Sequence, residues 1–320
     1  RGIRILFDVV MNHPGYSTLR DMQQLGFGDL RQGMTKYLPK QWDHWQPESY
    51  ESFHDYHNLV DYDGQQWQNW WGPDWVRAGI GGYEQGPTVV QDPLKGSLAF
   101  LPDFKTESEH FVSLPHFLKN KKDTNAVERD NYRPRDYLVE WLSQWVAEYG
   151  IDGFRIDTAK HVGLDAWQQL KHSATLAQER WLSKQTNNGS QYQPQPFWMV
   201  GEVWGQGPER NQYHDNGFDA LINFDFQSQL QKSDLCLNQM EPIYQDYAKR
   251  LTADSSFNLL SYISSHDTKL FTQITDGDLS KQKQAGTALM LLPGAVQMYY
   301  GDESARRFGA TGSDPHQGTR

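Results

Sequence analysis

Short apolar runs alternate along this chain with amphipathic stretches of longer period. The run Ile3-Arg4-Ile5-Leu6-Phe7-Asp8-Val9-Val10-Met11 is rich in β-branched residues and predicts a buried strand, ending in the turn Asn12-His13-Pro14-Gly15. From Pro134 the spacing changes. Leu138, Trp141, Leu142, Trp145, Val146 and Tyr149 recur at three and four residues, which predicts a helix with Pro134 in its first turn and Gly150 at its stop. Residues 153–157 return to strand spacing. A second helix follows, with Leu164, Trp167, Leu170, Ala174, Ala177 and Trp181 on one face, and a polar loop over 186–196 breaks it. Further strands are predicted at 197–204, 218–224 and 259–267, and a strand and turn at 295–303. Helices are predicted around 240–251 and, capped by Ser280, up to Pro293.

Continuous apolar strands alternating with helices predict a parallel sheet covered on both faces. Four of the six strands finish in acid or histidine side chains. Reactive groups at the C-terminal ends of successive parallel strands are the arrangement of a (β/α)8 barrel active site. A doubly wound open sheet would place a Gly-rich phosphate loop after its first strand, and the sequence has none. Residues 14–130 show little periodicity and are rich in Trp, Gly, Asp, His and Pro, as in Trp70-Trp71-Gly72-Pro73-Asp74-Trp75. So long a loop is implausible inside a compact domain, so this stretch reads as an inserted subdomain. Within it, Leu101-Pro102-Asp103-Phe104 reads as a short turn carrying an acid.

Composition and charge remove several functions. The 320 residues carry a net charge of −10, against the basic patches that bind nucleic acid or anionic membranes. No run of 18 apolar residues exists, so no helical membrane span is expected. Mean hydropathy is low, at −0.78, yet aromatics reach 13% with 12 Trp and 16 Tyr. Most of these rings read as core, but amphipathic rings also suit a wet cleft in which an aromatic face lies against a sugar. The single cysteine, Cys236, permits neither an internal disulfide nor a multi-thiolate zinc site. Arg1 stands inside the first strand pattern, so a piece of a longer chain is expected.

Side chains alternate along a strand, so Arg155 and Asp157 share a face opposite Phe154 and Ile156. A neighbouring guanidinium favours an ionised acid, and an ionised acid at a strand end can act as a nucleophile. Asp157, Glu202 and Asp267 end three different strands. Converging carboxylates repel, which leaves at least one protonated near neutral pH. Glu202, between an apolar strand and Trp204, is expected to be that proton donor. One ionised and one protonated carboxyl are what glycoside hydrolysis needs. No Gly-x-Ser-x-Gly elbow or His-Glu-x-x-His pair competes.

Four stretches, in order, resemble the signature regions of the α-amylase family of glycoside hydrolases (family 13). They are Asp8-Val9-Val10-Met11-Asn12-His13, Gly153-Phe154-Arg155-Ile156-Asp157-Thr158-Ala159-Lys160-His161, Gly201-Glu202-Val203-Trp204 and Ser264-Ser265-His266-Asp267. Leu101-Pro102-Asp103 and Gly294–Glu303 resemble further motifs, and Ile5–His13, Pro134–His161 and Gly294–Arg320 resemble periplasmic bacterial members. The resemblance implies an α/β fold, a (β/α)8 TIM barrel of which strands 3 to 8 are present. The barrel would comprise 1–13 and 131–320, with domain B, 14–130, inserted after the third strand. It implies retaining endo-hydrolysis of α-1,4-glucosidic bonds in starch and maltodextrins, with transglycosylation or α-glucosidase activity, or less plausibly a non-catalytic relative, as alternatives. Asp157 would be the nucleophile, Glu202 the acid and base, and Asp267 the stabiliser of the distorted sugar. His13, Arg155, His266, Lys160, His161 and Trp204 would bind substrate. Ca2+ would be held by Asn12, Asp103 and the backbone oxygen of His161, since hard oxygens are what Ca2+ takes. A monomeric, periplasmic or secreted protein that binds α-glucan, and neither nucleic acid nor membrane, is implied. With the first two barrel strands missing, residues 1–320 alone are expected to be poorly soluble or inactive, and Cys236 is open to pairing with a cysteine outside them.

Overall fold

A computed structural model describes residues 3–15, 22, 24–28, 30–33, 58–62, 64–77, 87–98, 101–187 and 195–307. Much of the expected inserted stretch, most of the polar loop over 186–196 and the end of the last motif lie outside the described residues. The chain gathers into two compact units, Arg1–Asp152 with Asp157–Phe197, and Gly153–Ile156 with Trp198–Arg320.

The first unit contains β1 (Leu6–Val9), β2 (Val76–Arg77), β3 (Asp103–Phe104), α1 (His116–Asn120), α2 (Pro134–Tyr149) and α3 (Leu164–Asn187). Helix α2 starts where the sequence predicts. Pro134 supplies a preset φ, and Arg133 and Asp136 form a capping box, with Asp136 Oδ2 accepting the Arg133 N–H at 2.9 Å. Gly150 stops it in the left-handed region, φ 68°, where a Cβ would also meet the Trp181 ring at 2.3 Å. Helices α2 and α3 pack together, and Leu138, Val146, Leu170, Ala174 and Ala177 on them are buried. Trp75 stacks flat on Trp141 at 5.9 Å, and Trp71 meets Phe104 and Phe117 edge-on, so these rings are core rather than cleft lining.

Two local expectations are corrected in this unit. Residues 101–104 do not form a simple turn. Asp103 and Phe104 make a strand antiparallel to Val76–Arg77, Asp103 opposite Arg77 and Phe104 opposite Val76, a pairing with a sequence-distant segment that no local pattern reveals. The buried strand predicted over residues 3–11 forms only at Leu6–Val9, where Val9 is buried and Leu6 is 39% exposed, and Ile3 and Ile5 ahead of it are 80% and 55% exposed.

The second unit contains β4 (Gly153–Ile156), β5 (Trp198–Gly201), β6 (Ala220–Asn223), β7 (Asn258–Tyr262) and β8 (Ala295–Gln297), each parallel to the next. Its helices are α4 (Asp225–Lys232), α5 (Leu237–Ala253), α6 (Phe271–Ile274) and α7 (Leu279–Met290). Phe226, Leu230, Tyr247, Leu259, Phe271 and Leu289 form the core between helices and strand β7. Helix α4 escapes the sequence pattern because only Phe226 and Leu230 mark its inner face. Helix α7 is capped by Asp278 rather than Ser280: Asp278 Oδ1 accepts the N–H groups of Ser280 and Lys281 at 2.8 and 3.1 Å. The parallel order β4-β5-β6-β7-β8 and the strand–helix alternation are those of an incomplete (β/α)8 barrel.

Candidate active site

In the second unit, register decides which strand ends meet. Ile156 pairs with Gly201, and the Glu202 N–H donates to the Ile156 carbonyl at 2.8 Å. Gly201 is needed there, because a Cβ would meet the Phe218 ring at 2.5 Å. Glu202 is therefore delivered, 6% exposed, beside the end of β4. Arg155, on β4, places Nη2 3.3 Å from Glu202 Oε2 and 3.8 Å from Asp267 Oδ2. His266 Nε2 lies 2.9 Å from the same Asp267 oxygen. One guanidinium thus gathers two of the three predicted acids, from the ends of β5 and the loop after β7.

The Asp267 turn is built by small polar side chains. Ser265 Oγ accepts the N–H groups of Asp267 and Thr268 at 3.2 and 3.1 Å. Gln227 Nε2, from α4, donates to the carbonyls of Ile263 and Lys269. The sequence analysis missed Gln227; its only signal is an amide in the first turn of a short helix after strand β6, which ends in Asn223. Trp204 is 56% exposed, its ring 5.0 Å from Phe224. Arg155, read from strand alternation as the neighbour of Asp157, also bridges to Glu202 and Asp267. Alternate residues of one strand lie roughly 6.5 Å apart, whereas adjacent strands are about 4.8 Å apart.

In the first unit, the Asp157 N–H donates to the Val9 carbonyl at 3.0 Å. Thr158, the next residue, is left-handed with φ 50°, a strained conformation for a β-branched side chain. His13 has its pKa lowered by burial first, with the Asp157 charge opposing and His161 adding to the fall. Asp157 is therefore within electrostatic reach of His13. Lys160 is exposed, and His161 is buried with Nδ1 2.8 Å from the Pro93 carbonyl.

The three predicted calcium ligands come together in this unit. Asn12 Nδ2 donates to Asp103 Oδ1 at 2.8 Å and to the His161 carbonyl at 3.3 Å, and Asn12 Oδ1 lies 3.2 Å from His13 Nδ1. Turning the amide over exchanges donor for acceptor at the same place, and the set then becomes three hard oxygens. Arg77 Nη1 donates to the other Asp103 oxygen at 2.6 Å. Burial pushes the Asp103 carboxyl up to about 8, against the pull of Arg77. Among the described residues no group of three or more His, Cys, Asp or Glu is arranged to hold a metal. The candidate site depends instead on an amide and a carbonyl, donors that suit Ca2+.

A family model described as "Alpha amylase, catalytic domain" matches residues 1–307. The periplasmic α-amylase of Escherichia coli (strain K12) is 53% identical over 326 residues, covering 100% of this chain and 46% of that protein. A cyclomaltodextrinase of Geobacillus thermopakistaniensis (strain MAS1) is 24% identical over 73% of this chain and 38% of its own length. The chain thus spans about half, or less, of the curated relatives it matches. Among solved structures, an Anoxybacillus α-amylase superposes with a TM-score of 0.53 at 22% identity, covering 98% of this chain and 51% of that one. The acarbose complex of the Geobacillus thermoleovorans α-amylase gives 0.52 at 20%, covering 98% and 55%. At these identities the structures speak for the fold alone.

Proposed function

Because this chain belongs to the α-amylase family, we propose that it supplies the catalytic residues of a retaining endo-hydrolase of α-1,4-glucans. The observation that carries this function is Arg155 held between Glu202 and Asp267, with Asp157 the next residue after β4. The carboxylate of Asp157 attacks the anomeric carbon, while Glu202 gives its proton to the leaving glycosidic oxygen. The glycosyl-enzyme ester forms as the C–O bond to the leaving sugar breaks. Glu202, now ionised, takes a proton from water, whose oxygen displaces Asp157 and restores both groups. Asp267 and His266 hold sugar hydroxyls and favour the flattened ring. His13, Arg155, Lys160, His161 and Trp204 complete the sugar contacts, Trp204 by offering an exposed ring face.

Asn12, Asp103 and the His161 carbonyl would hold Ca2+, which when bound ties the loop after β1 to β3. Residues 14–130 form the inserted domain B, and 1–13 with 131–320 belong to the barrel. The name of the 53%-identical relative supports a periplasmic location, with a monomer as the working form. No helix among the described residues is long and apolar enough to cross a membrane. The test is release of malto-oligosaccharides from starch: internal cleavage with retained α-configuration supports the assignment. Cyclic glucans, or glucose as sole product, would move it to another activity of the family.

A further inference from the structure

Asp302 opens the turn that follows β8 and has no part in the chemistry above. Its Oδ1 accepts from Ser264 Oγ at 2.6 Å and from Gln282 Nε2 at 3.5 Å. Its Oδ2 is buried without a hydrogen-bond partner among the described residues. Burial raises the carboxyl above the ordinary aspartate range. Leaving such an oxygen unmatched costs the fold its desolvation without a hydrogen bond in return. A side chain that weakens the fold where an amide would not is where function is expected.

Ser264 connects this carboxyl to the acids. Its hydroxyl is fully buried, donates to Asp302, and accepts the Phe271 N–H at 2.9 Å. One oxygen therefore pins both ends of the segment 264–271. Inside that segment lie His266 and Asp267, the pair that meets Arg155. Asp302 fixes the rotor of the Ser264 hydroxyl: with its proton committed to the carboxylate, its lone pair stays aimed at Phe271. Without the acceptor, that hydroxyl is free to turn, and the segment loses its clasp.

We propose that Asp302 is a positioning residue, acting through Ser264 to hold the 264–271 segment so that Asp267 and His266 stand in register with Arg155 and the bound sugar. This rests on the assignment of Asp267 made above. The link is tested on the full chain with Ser264→Ala, Asp302→Ala, their double variant and Asp302→Asn. Each alanine variant is expected to lower kcat by about 10- to 100-fold with KM within about twofold. The double variant should be no slower than the worse single, because both break one hydrogen bond. Asp302→Asn keeps an oxygen acceptor for Ser264 and should recover most of the rate. Amide hydrogen exchange reads the same clasp without catalysis. The Asp267 and Phe271 amides should exchange about tenfold faster in Asp302→Ala, with those of β4 and β5 unchanged. Multiplicative losses in the double variant, or an Asp302→Ala chain of lowered Tm but unaltered kcat, would overturn the inference. If the whole protein, with the chain outside residues 1–320 included, releases no product from starch, the assignment of function fails separately and exchange alone decides. Unchanged protection at Asp267 and Phe271 then sinks the inference, and faster exchange upholds it.

Discussion

The guanidinium of Arg155 lies 3.3 Å from the carboxylate of Glu202, with only 14% and 7% of the two side chains exposed. Arg155 also lies 3.8 Å from Asp267 Oδ2, and taking one partner away from a buried charged contact costs about 3–5 kcal/mol. Arg155→Ala should therefore lower Tm strongly. Arg155→Lys should fold, yet an ammonium cannot span Glu202 and Asp267 as a planar fork does. Its kcat on malto-oligosaccharides should drop by about 100-fold or more. Steady-state kinetics with thermal melts separate the two effects, and a fully active Arg155→Lys enzyme would contradict the bridging role.

Asp157→Asn removes the attacking carboxylate, and Glu202→Gln removes the transferable proton. Each should lower kcat by at least the roughly 10²–10⁴-fold typical of lost proton-transfer groups. The two should differ with an activated substrate. A good leaving group restores the first half-reaction of Glu202→Gln but not that of Asp157→Asn. Burst kinetics with such a glycoside check this, and near-normal turnover in either variant would refute the retaining scheme.

The proposed oxygen set of Asn12, Asp103 and the His161 carbonyl predicts stabilisation by calcium. Saturating Ca2+ should raise stability by about 1–3 kcal/mol, and a chelator should remove the gain. Asp103→Asn should abolish the response while Asp278→Asn, at the α7 helix cap in the other unit, should not. Calorimetric melts with and without Ca2+ measure it; an equal response in both variants would place the ion elsewhere.

Asp302 has a folded pKa raised by burial, opposed by the Ser264 and Gln282 hydrogen bonds. Its contribution to stability is complete below the unfolded aspartate value and is lost as pH rises through the folded value. Asp302→Asn removes this dependence and should stabilise the chain at pH 7 by about 1 kcal/mol. Urea melts at pH 4 and pH 7 supply the comparison, and destabilisation at pH 7 would show that the charge is needed.

Asp136 behaves in the opposite sense. Burial pushes its carboxyl up, but hydrogen bonds from Arg133 and Gln169 outweigh this and hold it below the ordinary value. Its stabilisation is present above the unfolded pKa and disappears as pH falls through the folded one. Asp136→Asn should cost about 1 kcal/mol at pH 7, and the difference from wild type should vanish in acid. Denaturation at both pH values tests this, and a pH-independent loss would assign the effect to packing.

Much of this was legible in the residues. Local periodicity determined α2 down to Pro134 and Gly150, because capping and 3.6-residue spacing are written into neighbouring positions. Alternation and apolar runs determined the strands that Asp157 and Glu202 directly follow, but the strand predicted to run to Asp267 stops at Tyr262 and leaves Asp267 in the loop beyond. Tertiary structure alone decided the rest. The choice of Asp278 over Ser280 as cap depended on backbone angles. The pairing of Asp103–Phe104 with Val76–Arg77 depended on a distant segment. Ion-pair partners depended on lateral register: alternation in one strand predicted Arg155 beside Asp157, and the parallel pairing of β4 and β5 brought Glu202 to Arg155. A sequence encodes which side chains share a strand, while contacts across strands arise only once hydrogen-bonded neighbours fix the stagger between them.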